Sequence, residues 1–66
     1  MYFQLYVKRR ESKLQQKDVA KMLNIHPVTY SRKETGKTDF ELKEAFFLAD
    51  YFGTTVDELF TKEATQ

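Results

Sequence analysis

Residues 16–37 read QKDVAKMLNIHPVTYSRKETGK, and this stretch decides the fold. Val19, Ala20 and Leu23 recur at i, i+1 and i+4, the spacing of one helical face, while Lys17, Asp18 and Lys21 lie off that face. Asn24 follows, and Asn tolerates the left-handed backbone that ends a helix. Ile25 is an isolated apolar plug. Pro27 suits a first helical position, so a second helix is predicted from Pro27 to about Glu34, with His26 as its cap. Gly36 stops it. Two helices joined by so tight a turn form a helix-turn-helix.

Helical spacing continues on both sides. Upstream, a helix over about 2–12 carries Tyr2, Leu5, Tyr6 and then Arg9 on one stripe. An arginine there needs a partner, because a buried unpaired charge is costly. Downstream, Thr38 and Asp39 offer capping oxygens. A fourth helix is predicted over about 41–52, with Leu42, Ala45, Phe46, Ala49 and Phe52 as its core stripe. Gly53 ends it. Thr55 and Glu58 then form a T-x-x-E capping box for a short fifth helix, and the tail is expected to fray from about Lys62. The fold class is all-α, a compact five-helix domain with the helix-turn-helix at helices 2 and 3.

Sixty-six residues allow one domain, residues 1–66, with a core over about 5–60. With 41% hydrophobic and 32% charged residues the chain is globular rather than disordered. It has no cysteine, so neither a disulfide nor a thiolate metal site supports it. No apolar run approaches the ~20 residues of a membrane helix, and no signal segment opens the chain, so a cytoplasmic location without a membrane partner is expected. The net charge of +1 hides an asymmetry. Residues 1–37 hold nine basic and three acidic side chains, and residues 38–66 hold two basic and seven acidic ones. A basic half joined to an acidic half points to a polyanion at one end, or to ordinary solvated helix surfaces.

The 16–37 run resembles the lambda-repressor/Cro-type (Xre-like) helix-turn-helix family without a gap. The residues that carry the resemblance are Gln16, Ala20, Asn24, Ile25, Glu34, Gly36 and Lys37. The following EAFFLADYFGTTVDELF looks like the family's last two helices, so the likeness covers about residues 5–60. Its closest flavour is the small repressors of phages and mobile elements. The resemblance implies a recognition helix, about 27–34, that enters the DNA major groove while the preceding helix crosses the backbone.

Carried over position by position, the resemblance implies DNA contacts at His26, Pro27, Val28, Ser31 and Arg32. Val28 offers methyls that suit thymine, and Arg32 suits either guanine or phosphate. Thr29 stands where the family often keeps a small core-side residue, which leaves a core role and a DNA contact equally open. Gln16, at the start of the first motif helix, should hold phosphate by backbone and side chain. Lys17, Lys37 and Thr38, with Lys13, should meet the backbone and make binding salt-dependent. Pro27 departs from the family, standing where a long polar base reader is common, so Val28, Ser31, Arg32 or DNA shape must compensate. Lys33 also departs from a commonly apolar position; its stem is expected to cover the core while its ammonium reaches phosphate or solvent. Phe40 should pack under the third and fourth helices.

Two further groups have other roles. The family often pairs an arginine seven residues before the opening Gln with the motif's Glu, which implies a structural ion pair between Arg9 and Glu34. Losing either side would loosen the domain and mimic a DNA-binding defect. Phe47 sits where the family is polar, and with Tyr51 and Phe60 it is a candidate dimer surface; the alternative is packing against Tyr2, Phe3 and Tyr6. A dimer would place two recognition helices about 34 Å apart and read a palindromic operator.

The expected function is sequence-specific binding of double-stranded DNA as a transcriptional repressor, by steric occlusion of a promoter. The competing reading is a protein-interaction module that kept the fold and lost DNA, supported by Pro27, Phe47 and the acidic second half. No enzyme is expected. There are no paired acids in a motif, no nucleophile with a base and no Gly-rich phosphate loop, and His26 has no metal-binding partners, so no cofactor is implied either.

Overall fold

The computed structural model describes residues 1–61, and the tail expected to fray lies outside them. Five helices follow in order: α1 (Phe3–Glu11), α2 (Gln16–Leu23), α3 (Pro27–Glu34), α4 (Leu42–Tyr51) and α5 (Val56–Leu59). The described residues contain no strand. None of their helices is long and apolar enough to cross a membrane.

Four helix ends close by one device. A residue in the left-handed region lets the next amide reach back five residues, satisfying a carbonyl the helix leaves open. Lys13, Asn24, Gly36 and Gly53 take this conformation, with φ of 60°, 59°, 90° and 69°. The returning bonds are Leu14 N–H to Arg9 at 3.1 Å, Ile25 to Ala20 at 3.0 Å, Lys37 to Arg32 at 2.9 Å and Thr54 to Ala49 at 2.9 Å. Asn24 is legible in sequence. Lys13 is not, because lysine has no local bond that rewards this backbone.

The core gathers Leu5 from α1, Val19 and Ala20 from α2, Tyr30 from α3, Leu48 from α4 and Leu59 from α5, each no more than 1% exposed. An aromatic group closes one side. Phe40 lies 5.8 Å from Tyr2, 6.0 Å from Tyr30 and 5.0 Å from Phe60 between ring centroids. The backbone N–H of Tyr2 donates to the Glu34 carbonyl at 3.0 Å, tying the start of α1 to the end of the recognition helix.

Several expectations need correction here. α4 buries Glu44, Ala45, Leu48 and Ala49, whereas Leu42 is 68% and Phe46 57% exposed. The predicted stripe was therefore rotated by roughly 60° about the helix axis, at ~3.6 residues per turn. Neither Thr38 nor Asp39 caps α4. Its N-cap is Glu41, whose N–H donates to the Glu44 carboxylate at 2.9 Å. The capping box of α5 is half made. Thr55 Oγ1 accepts the Glu58 N–H, but the Glu58 carboxylate accepts from the Thr54 hydroxyl instead. Phe60 is half-buried in the aromatic group beside Tyr2, away from the stacked pair Phe47 and Tyr51.

Candidate nucleic-acid interface

The recognition helix is built with two faces. Tyr30, Lys33 and Glu34 point inward and are buried. Val28, Thr29 and Arg32 point outward and are exposed, with Ser31 half-buried beside them. Val28 and Arg32, four apart, form the outer ridge. Pro27 occupies the first helical position, and His26 caps the helix by accepting the Val28 N–H on Nδ1 at 3.1 Å. Both are exposed.

What holds this helix is a buried carboxylate. Glu34 is 1% exposed and Arg9 6%. Arg9 donates Nε to Oε2 at 2.8 Å and Nη2 to Oε1 at 3.2 Å. Gln16 Nε2 donates to Oε1 at 2.9 Å and the Tyr30 hydroxyl to Oε2 at 2.8 Å. The remaining guanidinium arm of Arg9 donates to the Leu14 carbonyl at 2.9 Å. Burial alone would raise the Glu34 carboxyl, but the hydrogen bonds from Arg9, Gln16 and Tyr30, with the guanidinium charge, hold it below its ordinary value. Burial would lower Arg9, yet Glu34 outweighs it and raises the guanidinium. Burial, reinforced by the adjacent carboxylate, pushes the Tyr30 phenol up. One carboxylate thus joins α1, α2 and α3 and sets the angle between the motif helices.

A second buried pair fixes the other end. Lys33 does not snorkel. It is 6% exposed, and its Nζ meets Glu44 Oε1 at 2.6 Å. That oxygen also accepts the Glu41 N–H, so the recognition helix is tied to the first turn of α4. Sequence reasoning missed this pair. The signal was present, since Lys33 lies on the same inward face as Tyr30 and Glu34.

Lys17, Lys37 and Thr38 are exposed. The backbone N–H groups of Lys37 and Thr38 both donate to the Arg32 carbonyl, so only their side chains remain for a ligand. Gln16 is half-buried with its side-chain nitrogen committed to Glu34. That leaves the second amide hydrogen and the helix-terminal N–H for a phosphate. An open groove of about 580 Å³ runs between the end of α1 and the start of α2, lined by Arg10, Lys13, Gln16, Lys17 and Pro27 among others. A second groove, of about 400 Å³, continues past Lys17 and Pro27 to Lys21, Asn24 and His26. Among the described residues, Arg10, Lys13, Lys17, Lys21, Arg32 and Lys37 make no ion pair. Arg10 and Lys21 were not singled out in sequence, although Lys13, Lys17 and Lys21 recur every four residues. No group of metal-ligating side chains occurs among the described residues.

The family model described as helix-turn-helix matches residues 5–59. The chain belongs to the lambda-repressor-like helix-turn-helix family. An uncharacterised HTH-type transcriptional regulator of Methanocaldococcus jannaschii is 40% identical over 50 residues, which cover 76% of this chain and 76% of that protein. No solved structure matches the chain. In this helix-turn-helix domain, the match runs from the Leu5 core position through α5, so it includes both buried ion pairs.

Proposed function

We propose that this helix-turn-helix domain binds double-stranded DNA sequence-specifically and represses transcription by covering a promoter. The carrying observation is the two-faced recognition helix. Its inner residues are locked by Glu34 and Lys33, and its outer ridge of Val28 and Arg32 is free beside unpaired cations. A helix of this kind fits the major groove, where each base pair displays a distinct edge. Val28 gives its methyls to thymine, Arg32 grips guanine or phosphate, and Ser31 and Thr29 flank them. Lys17, Lys37, Thr38, His26 and Gln16 hold backbone and set register without reading sequence. Two copies on a palindrome complete the operator, and no catalytic step is involved.

The test is selection from a random-duplex pool, followed by titration of the enriched duplex across a salt series. Two inverted half-sites should be enriched, with affinity falling by a log–log slope of about −0.9 per neutralised phosphate. Polymerase should be excluded from a promoter overlapping that site. Folded protein that enriches nothing and binds no duplex at low salt refutes the proposal.

A further inference from the structure

Six of the ten residues of α4 face solvent, and three of the six are aromatic. Leu42, Phe46, Phe47 and Tyr51 are 68%, 57%, 43% and 49% exposed. Lys43 and Asp50 are exposed among them. At ~100° per residue, Lys43 and Asp50 run along the centre of this face, opposite the buried line of Ala45 and Leu48. Leu42 and Phe46 flank that line on one side, and Phe47 and Tyr51 on the other, where their rings stack at 6.3 Å.

We infer that this face docks on the same face of a second copy of the chain, the two α4 helices running antiparallel. The charges on this face are placed for such a pairing. The midpoint between Lys43 and Asp50 falls between Phe46 and Phe47. A two-fold axis through that point sets each Lys43 opposite the partner's Asp50, and brings Phe46 against the partner's Phe46 and Phe47 against the partner's Phe47. Such self-complementarity is what an isologous interface requires. A parallel pairing would instead set lysine on lysine and aspartate on aspartate. Inside its own chain Lys43 has only Glu41, at 3.8 Å and with both side chains exposed, so it is free to turn outward.

The size of the face sets the strength. A ten-residue helix is about 15 Å long and covers a few hundred Å² per copy, short of the ~800 Å² typical of a stable complex. The dimer is therefore weak in free solution. It is completed when two copies occupy neighbouring half-sites, where the effective concentration is high. In this respect the inference rests on the DNA reading above, while the contact itself does not need DNA.

Two measurements decide it. Sedimentation of the free protein across concentration reads the contact alone. Titration of single and paired half-site duplexes reads cooperativity. Lys43→Asp and Asp50→Lys should each weaken self-association and cooperativity by about tenfold or more, and the combined exchange should recover both to within about threefold. All three variants should bind a single half-site as the parent does, since the proposed DNA contacts include neither residue. Single reversals without effect, an exchange that fails to recover, or a protein monomeric up to millimolar concentration and non-cooperative on paired sites would each overturn the inference. Failure to bind a single half-site would instead count against the proposed function, and sedimentation would still decide this contact.

Discussion

Replacing Glu34 with alanine should bring the domain to the edge of unfolding. At ~0.05–0.15 kcal/mol per residue, 66 residues give a total stability of about 3–10 kcal/mol. The substitution removes the acceptor of four hydrogen bonds and leaves the Arg9 guanidinium, 6% exposed, without its counter-charge. Breaking a buried pair from one side costs about 3–5 kcal/mol. Arg9→Met should cost a similar amount, because it leaves the carboxylate buried with only Gln16 and Tyr30 as donors. The combined Arg9→Met/Glu34→Leu variant leaves no buried charge. Its main losses are the bonds from Gln16 and Tyr30, at about 1 kcal/mol each. The double variant should therefore be no worse than either single one, with a coupling energy of at least about 2 kcal/mol. Urea titration followed by circular dichroism measures all four proteins, and trimethylamine N-oxide recovers a folded baseline for any that is unfolded in buffer. A cost below about 1 kcal/mol for Glu34→Ala, or additive losses in the double variant, would show that the Glu34 carboxylate does not hold α1, α2 and α3 together.

Other outcomes follow from the same contacts. The Glu34 carboxyl titrates below its ordinary 4.5, so its stabilisation is complete above that pH and is lost as pH falls through the folded-state value. Urea midpoints between pH 6 and pH 3 should therefore fall more steeply for the parent than for Glu34→Gln. Lys33→Ala leaves Glu44 buried and should cost about 3 kcal/mol, while Lys33→Met/Glu44→Gln should recover most of it; equal melting of the two would show the pair to be inert. On the selected operator, Arg32→Ala and Val28→Ala should each relax base preference by about 1–3 kcal/mol at one position. Lys17→Ala should weaken all duplexes alike and lower the salt slope by about 0.9; a base-specific loss at Lys17 would reverse the two roles.

The motif, the helix order and the caps at Asn24, His26 and Thr55 were legible in the sequence because they are short-range. Pro27 at the start of α3 and Asn24 at the end of α2 act on their own backbones, and the Val19, Ala20 and Leu23 spacing needs only a helix to be read. Arg9 stood out because it puts a charge on the apolar stripe of α1, and Glu34 was supplied as its partner by the resemblance of the motif to the family. The same reasoning reaches Lys33 once its face is read, but its partner Glu44 lies eleven residues on across a turn.

Periodicity did not decide which face of α4 is buried, although the resemblance to the family placed Leu48 inward beside Phe46. Ala45 and Ala49 belong to both the predicted and the observed stripe, and apolar side chains lie on either side of them. The helix pattern therefore allows Leu42 and Phe46 inward or Leu48 inward. The observed packing has room for Leu48 beside Leu5, Val19, Tyr30 and Leu59, and it uses Glu44 as the counter-charge of Lys33. Leu42 and Phe46 are consequently turned out. Phe60 was left open between the Phe47 and Tyr51 patch and the Tyr2 segment for the same reason, since the rings that hold it, Tyr2 and Phe40, are distant in sequence. Periodicity along one helix fixes that the chain is helical and which residues share a face. The rotation of a helix that is apolar on several sides is fixed by the volumes and charges of its neighbours, which meet it only in the folded protein.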